Sequence, residues 1–393
     1  MTITRRRKVI IIGAGIGGLT AAATLRRMGL SVEIHERATE LRPAGTGLSI
    51  MCNALTALRA VGVDLHAALH ERSRSFDAIH VLRSDGRPIR TLRTGEVANR
   101  LESANFAVHR ADLQQVLLDA LGDDCPVELG ARATGFTVDE DGVTVEFADG
   151  RSTRGDVLIG ADGFHSAIRR QLAGPERPDE HGYLCWLATV PFAHPKMPKG
   201  YVGHYWAPGK RFGLIDIGHG RAYWWGTRNV PAAVARSWDG PKEEILRTYA
   251  GWAEEVGAAI RQTPREHIVT VPARDRPFLE RWGYGPVTLL GDAAHPMLTS
   301  LGQGAAMAME DAAVLAECLA GAQDLPRALR DYENRRRART RQMVQSSRTL
   351  SRIEQWEKPL SVRARELYFR YAPESVFAKQ NDAVLHYRPV AAS

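Results

Sequence analysis

The chain opens with an unbroken apolar, β-branched run at residues 9–12, which predicts a strand buried on both faces of a parallel sheet. The turn Gly13-Ala14-Gly15-Ile16-Gly17-Gly18 follows, and residues 19–28 form a helix that Gly29 stops. Residues 31–35 alternate into a second strand ending at Glu36, which completes a β-α-β unit. Residues 112–121 read as a helix, 143–147 as a strand after the Asp141-Gly142 turn, and 156–161 as another buried strand. From Tyr183 to about Thr227 the period falls to two, with strands at 211–217 and 222–227 separated by Gly and Pro. Six of the eight tryptophans lie between Trp186 and Trp252, so the expectation is an antiparallel sheet, aromatic on one face, inserted into a nucleotide-binding fold. These tryptophans either line a pocket or fill a core. A buried strand returns at 287–290, and helices follow at 305–319 and 325–350, the second rich in arginine with one packed face. In the tail, Tyr368, Phe369, Tyr371 and Phe377 are expected to dock on the body.

Composition narrows the class. With 393 residues, 44% hydrophobic and 25% charged, the chain can bury a sizeable core in two compact domains or one large one. The net charge of +7 is spread along the chain, with local concentrations at Arg5, Arg6, Arg7 and Lys8 and again at residues 335–341. No nucleic-acid motif accompanies it, so no nucleic-acid partner is expected and the second cluster reads as a solvated helix face. Cys52, Cys125, Cys185 and Cys318 are scattered without a C-x-x-C pair, which predicts free thiols and no metal centre. Residues 9–25 imitate a signal peptide or membrane span, but their four glycines suit a strand, turn and helix better. The expectation is a cytoplasmic chain with no integral membrane segment.

The chemistry begins at the glycine-rich turn. Gly13 permits the tight turn, Gly15 lets backbone approach a pyrophosphate, and Gly18 lets helix and strand pack closely. Free N–H groups at the helix start face phosphate charge, and Glu36 stands where a carboxylate accepts hydrogen bonds from ribose hydroxyls. This predicts a dinucleotide without choosing between FAD and NAD. Two later segments bear on the choice: residues 156–169, with Asp162-Gly163, Ser166 and Arg169, and Gly291-Asp292-Ala293-Ala294-His295-Pro296, followed by Gly302-Gln303-Gly304 and a helix carrying Glu310 and Asp311. An aspartate at a strand end can bind ribityl hydroxyls. The glycines let backbone pass a flat ring, and the next helix points its positive end at that ring.

In this order and spacing the three motifs resemble the class A flavoprotein monooxygenases, the para-hydroxybenzoate hydroxylase type, over residues 9–319. Within them the likeness is strongest to the branch of the bacterial FAD-dependent urate hydroxylases and 3-hydroxybenzoate 6-hydroxylases. The resemblance implies an α/β fold: a Rossmann-like, GR2-type FAD-binding domain at 1–72, 102–175 and 276–325, a mostly antiparallel substrate sheet at 73–101 and 176–275, and C-terminal helices at 326–393. It implies non-covalent FAD, NADH or NADPH as transient donor, O2, and a small aromatic or heteroaromatic substrate hydroxylated through a flavin C4a-hydroperoxide, in a monomer or homodimer.

Carried over residue by residue, Gly13, Gly15, Gly17 and Gly18 hold the FAD pyrophosphate and Glu36 the ribose, with Arg37 beside it. The loop from Gly45 to Ser49 lies beside the isoalloxazine, Arg110 reaches the cofactor, Ala133 meets the adenine, and Asp162 approaches phosphate and the nicotinamide path. Asp292 holds the ribityl chain, while Gly302, Gln303, Gly304, Ala305 and Ala306 supply backbone at the pyrimidine edge. On the substrate side the likeness marks Arg211, for an anionic substrate, and Tyr223, for a phenol or ring carbonyl. Three positions depart from the pattern: Cys52 and Thr299 replace usual prolines, and Ser300 replaces an aspartate of the urate enzymes. His295 is expected to pack or hydrogen-bond inside its motif, and His204 and His219 are candidate pocket bases. Epoxidation of an alkene or indole, a non-catalytic FAD and ligand binder, and a nicotinamide-only dehydrogenase are the other readings.

Overall fold

A computed structural model of the chain describes residues 7–41 and 46–387, so Arg5, Arg6 and Gly45 lie outside the described residues. A five-stranded parallel sheet runs in the order Val287–Leu289, Val157–Gly160, Lys8–Ile12, Ser31–His35, Val127–Glu128. Ile10 and Ile11 of its central strand are fully buried. They share one core with the helices Ile16–Arg27 and Gly304–Leu319 and with the antiparallel strands Ala133–Asp139 and Gly142–Phe147. That enclosure is why the first strand is apolar from end to end.

A seven-stranded sheet forms the second layer, in the order Val269–Asp275, Asp179–Pro191, Arg221–Asn229, Lys210–Asp216, Val202–Ala207, Ala78–Arg83, Pro88–Arg93. Its neighbours are antiparallel except for Val202–Ala207 against Ala78–Arg83. The chain crosses between these halves through a small sheet of Gly47–Ile50, Asn105–His109 and Arg74–Phe76.

Aromatic residues occupy both faces of the large sheet, which corrects the one-faced expectation. Trp186, Trp224, Phe212 and Leu214 pack under Ile245, Tyr249, Val256 and Ile260 of covering helices. Leu187, Tyr223, Trp225 and Ile215 point the other way, toward Met51, Cys52 and Ala107. A sheet buried on both sides carries large side chains at odd and even positions alike. Trp225 lies across its cross-strand neighbour Gly213, where a Cβ would stand 2.2 Å from the indole.

The arginine-rich helix is Leu325–Glu354, four residues longer than expected, and residues 335–341 are not simply a solvated face. Arg336 is fully buried and paired with Glu310 (2.7 Å) and Asp311 (2.6 Å), and Arg339 pairs with Glu310 at 2.8 Å. In the tail, Phe369 and Phe377 dock against Trp206, Val81 and Ile89, but Tyr368 and Tyr371 remain exposed. The four cysteines are free thiols, and among the described residues no helix is long and apolar enough to cross a membrane.

Candidate active site

The glycine turn divides into packed and open positions. Gly13 has φ +107°, and a Cβ there would stand 2.4 Å from the Ala161 carbonyl oxygen. A Cβ on Gly18 would stand 1.9 Å from the Gly13 oxygen, and one on Gly17 would meet Leu290 at 2.9 Å. Gly15, at the start of the helix, has nothing within 4 Å of that direction. Only the glycine nearest the free N–H groups faces open space, and that division suits a pyrophosphate lying over Gly15. Glu36 braces the turn, accepting from the Ala14 and Ala38 amides at 2.9 Å each. Arg37 beside it is exposed, Ser49 lies on the strand Gly47–Ile50, and Ala133 begins its strand.

The two later motifs are bolted together by Arg169. Its guanidinium donates to the carbonyls of Ala293 (3.1 Å) and Ala294 (2.9 Å), while Glu176 receives its Nε at 2.6 Å. Asp162 accepts from the Ala167 amide at 2.7 Å, so one of its oxygens serves the turn, and its other oxygen is buried without a partner. Burial pushes the Asp162 carboxyl up.

The loop before the helix Gly304–Leu319 hangs from a buried charge network. Asp311 receives His295 Nε2 at 2.6 Å, the Gly291 amide at 3.1 Å and Arg336. His295 therefore has the packing and hydrogen-bonding role expected of it. Asn53 donates to Gln303 (3.0 Å) and Glu310 (2.7 Å), leaving the buried Gln303 Nε2 unpartnered. Asp292 differs from its neighbours: its carboxylate has no hydrogen-bond partner among the described residues. Its side chain is exposed, yet the protein around it still pushes the carboxyl up, while His295 and Arg110 pull the other way. The Arg110 side chain is exposed at the start of its helix. Gly302, in the left-handed region at φ +62°, has nothing within 4 Å of its Cβ direction, and Gly304 meets only Asp292 and Met297, both at 3.9 Å. Ala305 and Ala306 open the helix there. An accessible carboxylate that no protein group engages, open glycines and a positive helix end fit the ribityl chain and ring of a flavin.

The underside of the large sheet carries the substrate candidates. Gly47 lies against Tyr223, leaving no room for a Cβ between them. Burial raises the Tyr223 hydroxyl, and no hydrogen bond holds that hydroxyl among the described residues. Arg211 is 2% exposed and lies over the Trp225 ring at 5.1 Å. Glu354, Gln355 and Ser300 hold it, three partners that sequence reasoning did not assign to it. His204 packs edge-on to Trp225 at 5.2 Å. It retains some accessible surface although protein surrounds it, so that surface faces inward. Burial, aided by Arg211, lowers its imidazole to about 3, so it is neutral at ordinary pH. His219 bonds the Glu71 carbonyl at 3.0 Å, on the exposed side. His204 also carries a stability signature. Below its ordinary value of 6.5 the unfolded chain takes a proton that the folded chain refuses, so stability falls from there toward pH 3. His204→Leu should make that acid-side loss shallower, read by urea unfolding at a series of pH values; an unchanged slope would place the imidazole in solvent.

Residues 6–347 match the family described as FAD binding domain. The chain is 37% identical over 362 residues to the aurachin C monooxygenase/isomerase of Stigmatella aurantiaca, covering 92% of this chain and 93% of that one. It is 34% identical over 357 residues to the FAD-dependent urate hydroxylase of Klebsiella pneumoniae, covering 87% and 88%. The solved structure of Klebsiella pneumoniae HpxO with FAD and uric acid superposes with a TM-score of 0.88 at 30% identity, over 96% of this chain and 97% of that one. The chain belongs to the FAD binding domain family and, within it, to the class A flavoprotein monooxygenases, which take electrons from NAD(P)H.

Proposed function

We propose that this monooxygenase hydroxylates a small heteroaromatic ring held between the underside of the large sheet and a flavin seated along Gly15, Asp292 and Gly302–Ala306. One observation carries the reading. A partnerless carboxylate and open glycines lie along the motif loops, while Tyr223, Trp225 and Leu187 project from the sheet toward that nucleotide-binding layer. When bound, FAD supplies hydride acceptance and oxygen activation; the chain supplies position, polarity and exclusion of water. In this reading Gly13, Gly17 and Gly18 shape the turn, and Glu36, Arg37, Ser49, Arg110, Ala133, Asp162 and Gln303 complete the cradle. Tyr223 donates to an oxygen of the substrate ring, and Arg211 orients it. One relative, the 2-heptyl-3-hydroxy-4(1H)-quinolone synthase of Pseudomonas aeruginosa at 33% identity, is named for a quinolone product. It favours a bicyclic ring carrying a carbonyl. In this reading the enzyme works in the cytoplasm, where NADH and NADPH are supplied, as a monomer or homodimer.

The test is NADH and NADPH oxidation by the FAD-loaded protein against phenols, purines and 4-quinolones, with oxygen uptake followed in parallel. One class should accelerate both; a protein that holds FAD but responds to none of them would contradict this reading. Tyr223→Phe should keep its FAD and lose about tenfold in kcat/KM on the responding ligand, the effect of an unmatched buried hydrogen bond. Unchanged kcat/KM would remove Tyr223 from the substrate side.

A further inference from the structure

Arg211 is the one underside cation that the sequence marks for an anionic substrate, and its surroundings argue against that use. Its Nη1 pairs with Glu354 and donates to Ser300 Oγ at 3.3 Å, and its Nε donates to Gln355 Oε1 at 3.1 Å. Glu354 is as buried as Arg211, each side chain 2% exposed. Burial raises the Glu354 carboxyl, while the Arg211 guanidinium and a bond from Ser300 pull it back toward the charged form.

The clamp is itself anchored. Gln355 Oε1 also accepts from Thr227 Oγ1 at 3.0 Å, and its backbone oxygen accepts from Asn229 at 3.0 Å. Arg365 donates to the Glu354 carbonyl at 2.7 Å and the Ile353 carbonyl at 3.2 Å, so its cation sits on the negative end of the long helix. Glu366 offsets Arg365 as well.

A guanidinium grips a carboxylate with two parallel N–H donors, either through Nη1 and Nη2 or through Nε and Nη2. Glu354 and Ser300 occupy Nη1, and Gln355 occupies Nε, so each edge has lost one of its donors. Nη2 alone has no acceptor among the described residues. A second carboxylate would meet a cation already neutralised and would lose its hydration without repayment. A single neutral acceptor such as a ring carbonyl needs one donor and no net charge.

We propose that Glu354 is a specificity-determining residue: by clamping Arg211 it turns an anion receptor into a single oriented donor, and the site selects uncharged aromatic rings bearing a carbonyl over aromatic carboxylates. Glu354 acts through Arg211 and is a positioning residue. The proposal rests on the substrate side assigned above, in which Arg211 faces the ring.

The test uses the FAD-loaded enzyme with two probes of the same shape and different charge, 4-hydroxybenzamide and 4-hydroxybenzoate, with affinities read from perturbation of the flavin spectrum. The wild type should bind the amide at least about tenfold more tightly than the carboxylate, and Glu354→Gln should shift that ratio by about tenfold or more toward the carboxylate. Flavin content and thermal midpoint report whether the variant is folded. Glu354→Ala is the second variant; there formate should compete with 4-hydroxybenzoate and restore the preference for the amide, while leaving the wild type unaffected. Equal or tighter carboxylate binding by the wild type, or an unshifted ratio in a folded variant, overturns the proposal. Turnover with NAD(P)H reports separately on the monooxygenase reading, so an enzyme that oxidises NADH yet prefers the carboxylate loses only the role of Glu354.

Discussion

Alanine at Gly18 should abolish the folded flavoprotein, whereas alanine at Gly15 should yield a folded protein that holds FAD poorly. The two sites differ by three residues in one turn, and the neighbours of a new Cβ separate them. At Gly18 it would stand 1.9 Å from the Gly13 carbonyl oxygen and 3.0 Å from its carbon, both backbone atoms that cannot swing aside. Relief requires pulling the helix Ile16–Arg27 off the first strand, at a cost beyond the usual 1–3 kcal/mol or so of overpacking. At Gly15 the backbone has φ −73° and ψ −178°, ordinary for any residue, and the methyl group meets nothing within 4 Å. The apo-protein should keep its thermal midpoint. The methyl group occupies the space proposed for the pyrophosphate, and FAD affinity should fall by at least about tenfold, or 1.4 kcal/mol. Thermal unfolding beside flavin titration checks both. Wild-type FAD affinity in Gly15→Ala would move the phosphates elsewhere.

Arg336→Met should be the most costly change away from the flavin cradle, at about 3–5 kcal/mol, because it leaves two carboxylates buried with too little positive charge. Arg336, Glu310 and Asp311 are all fully buried. Asp311 would keep His295 and the Gly291 amide, and Glu310 would keep Arg339 and Asn53, so repulsion between them is opposed only in part. The loop bearing Asp292 hangs from Asp311, so FAD retention should fall together with stability. Arg236→Met is the control: its pair with Glu180 is half in solvent, with Arg236 50% exposed, and its loss should cost less than about 1 kcal/mol. Denaturant midpoints of the two variants give the comparison. Equal small shifts would show that the buried network is dispensable.

What the sequence made legible was local. The first strand, the glycine turn and the helix after it are written in consecutive residues, since steric need at Gly13 and Gly18 leaves a direct mark. The loop around Asp292 and the glycines at 302 and 304 are legible because they too stand close together in the chain, Gly302 marking a left-handed backbone at φ +62°. What stayed hidden depends on partners far along the chain. Glu354 lies 143 positions from Arg211, and nothing in the residues around either announces the pairing. The helix carrying Glu354 outran its expected end because no glycine or proline interrupts residues 351–354. Arg336 looked solvated because its own helix is charged; the acids that bury it belong to the preceding helix. Trp186 and Trp225 read alike in sequence, and only the covering helices on one side and the nucleotide-binding layer on the other distinguish core from candidate pocket. The parallel pairing of Ala78–Arg83 with Val202–Ala207 joins distant segments and has no local signal either.

The most direct test is the visible spectrum and turnover of the purified protein supplied with FAD. The expected result is a yellow protein binding one FAD per chain, oxidising NADH or NADPH faster when an aromatic ligand is present, and releasing a product that carries one oxygen atom from O2. A colourless protein that takes up no FAD would contradict it, because open glycines and a partnerless Asp292 carboxylate would then have no flavin to serve.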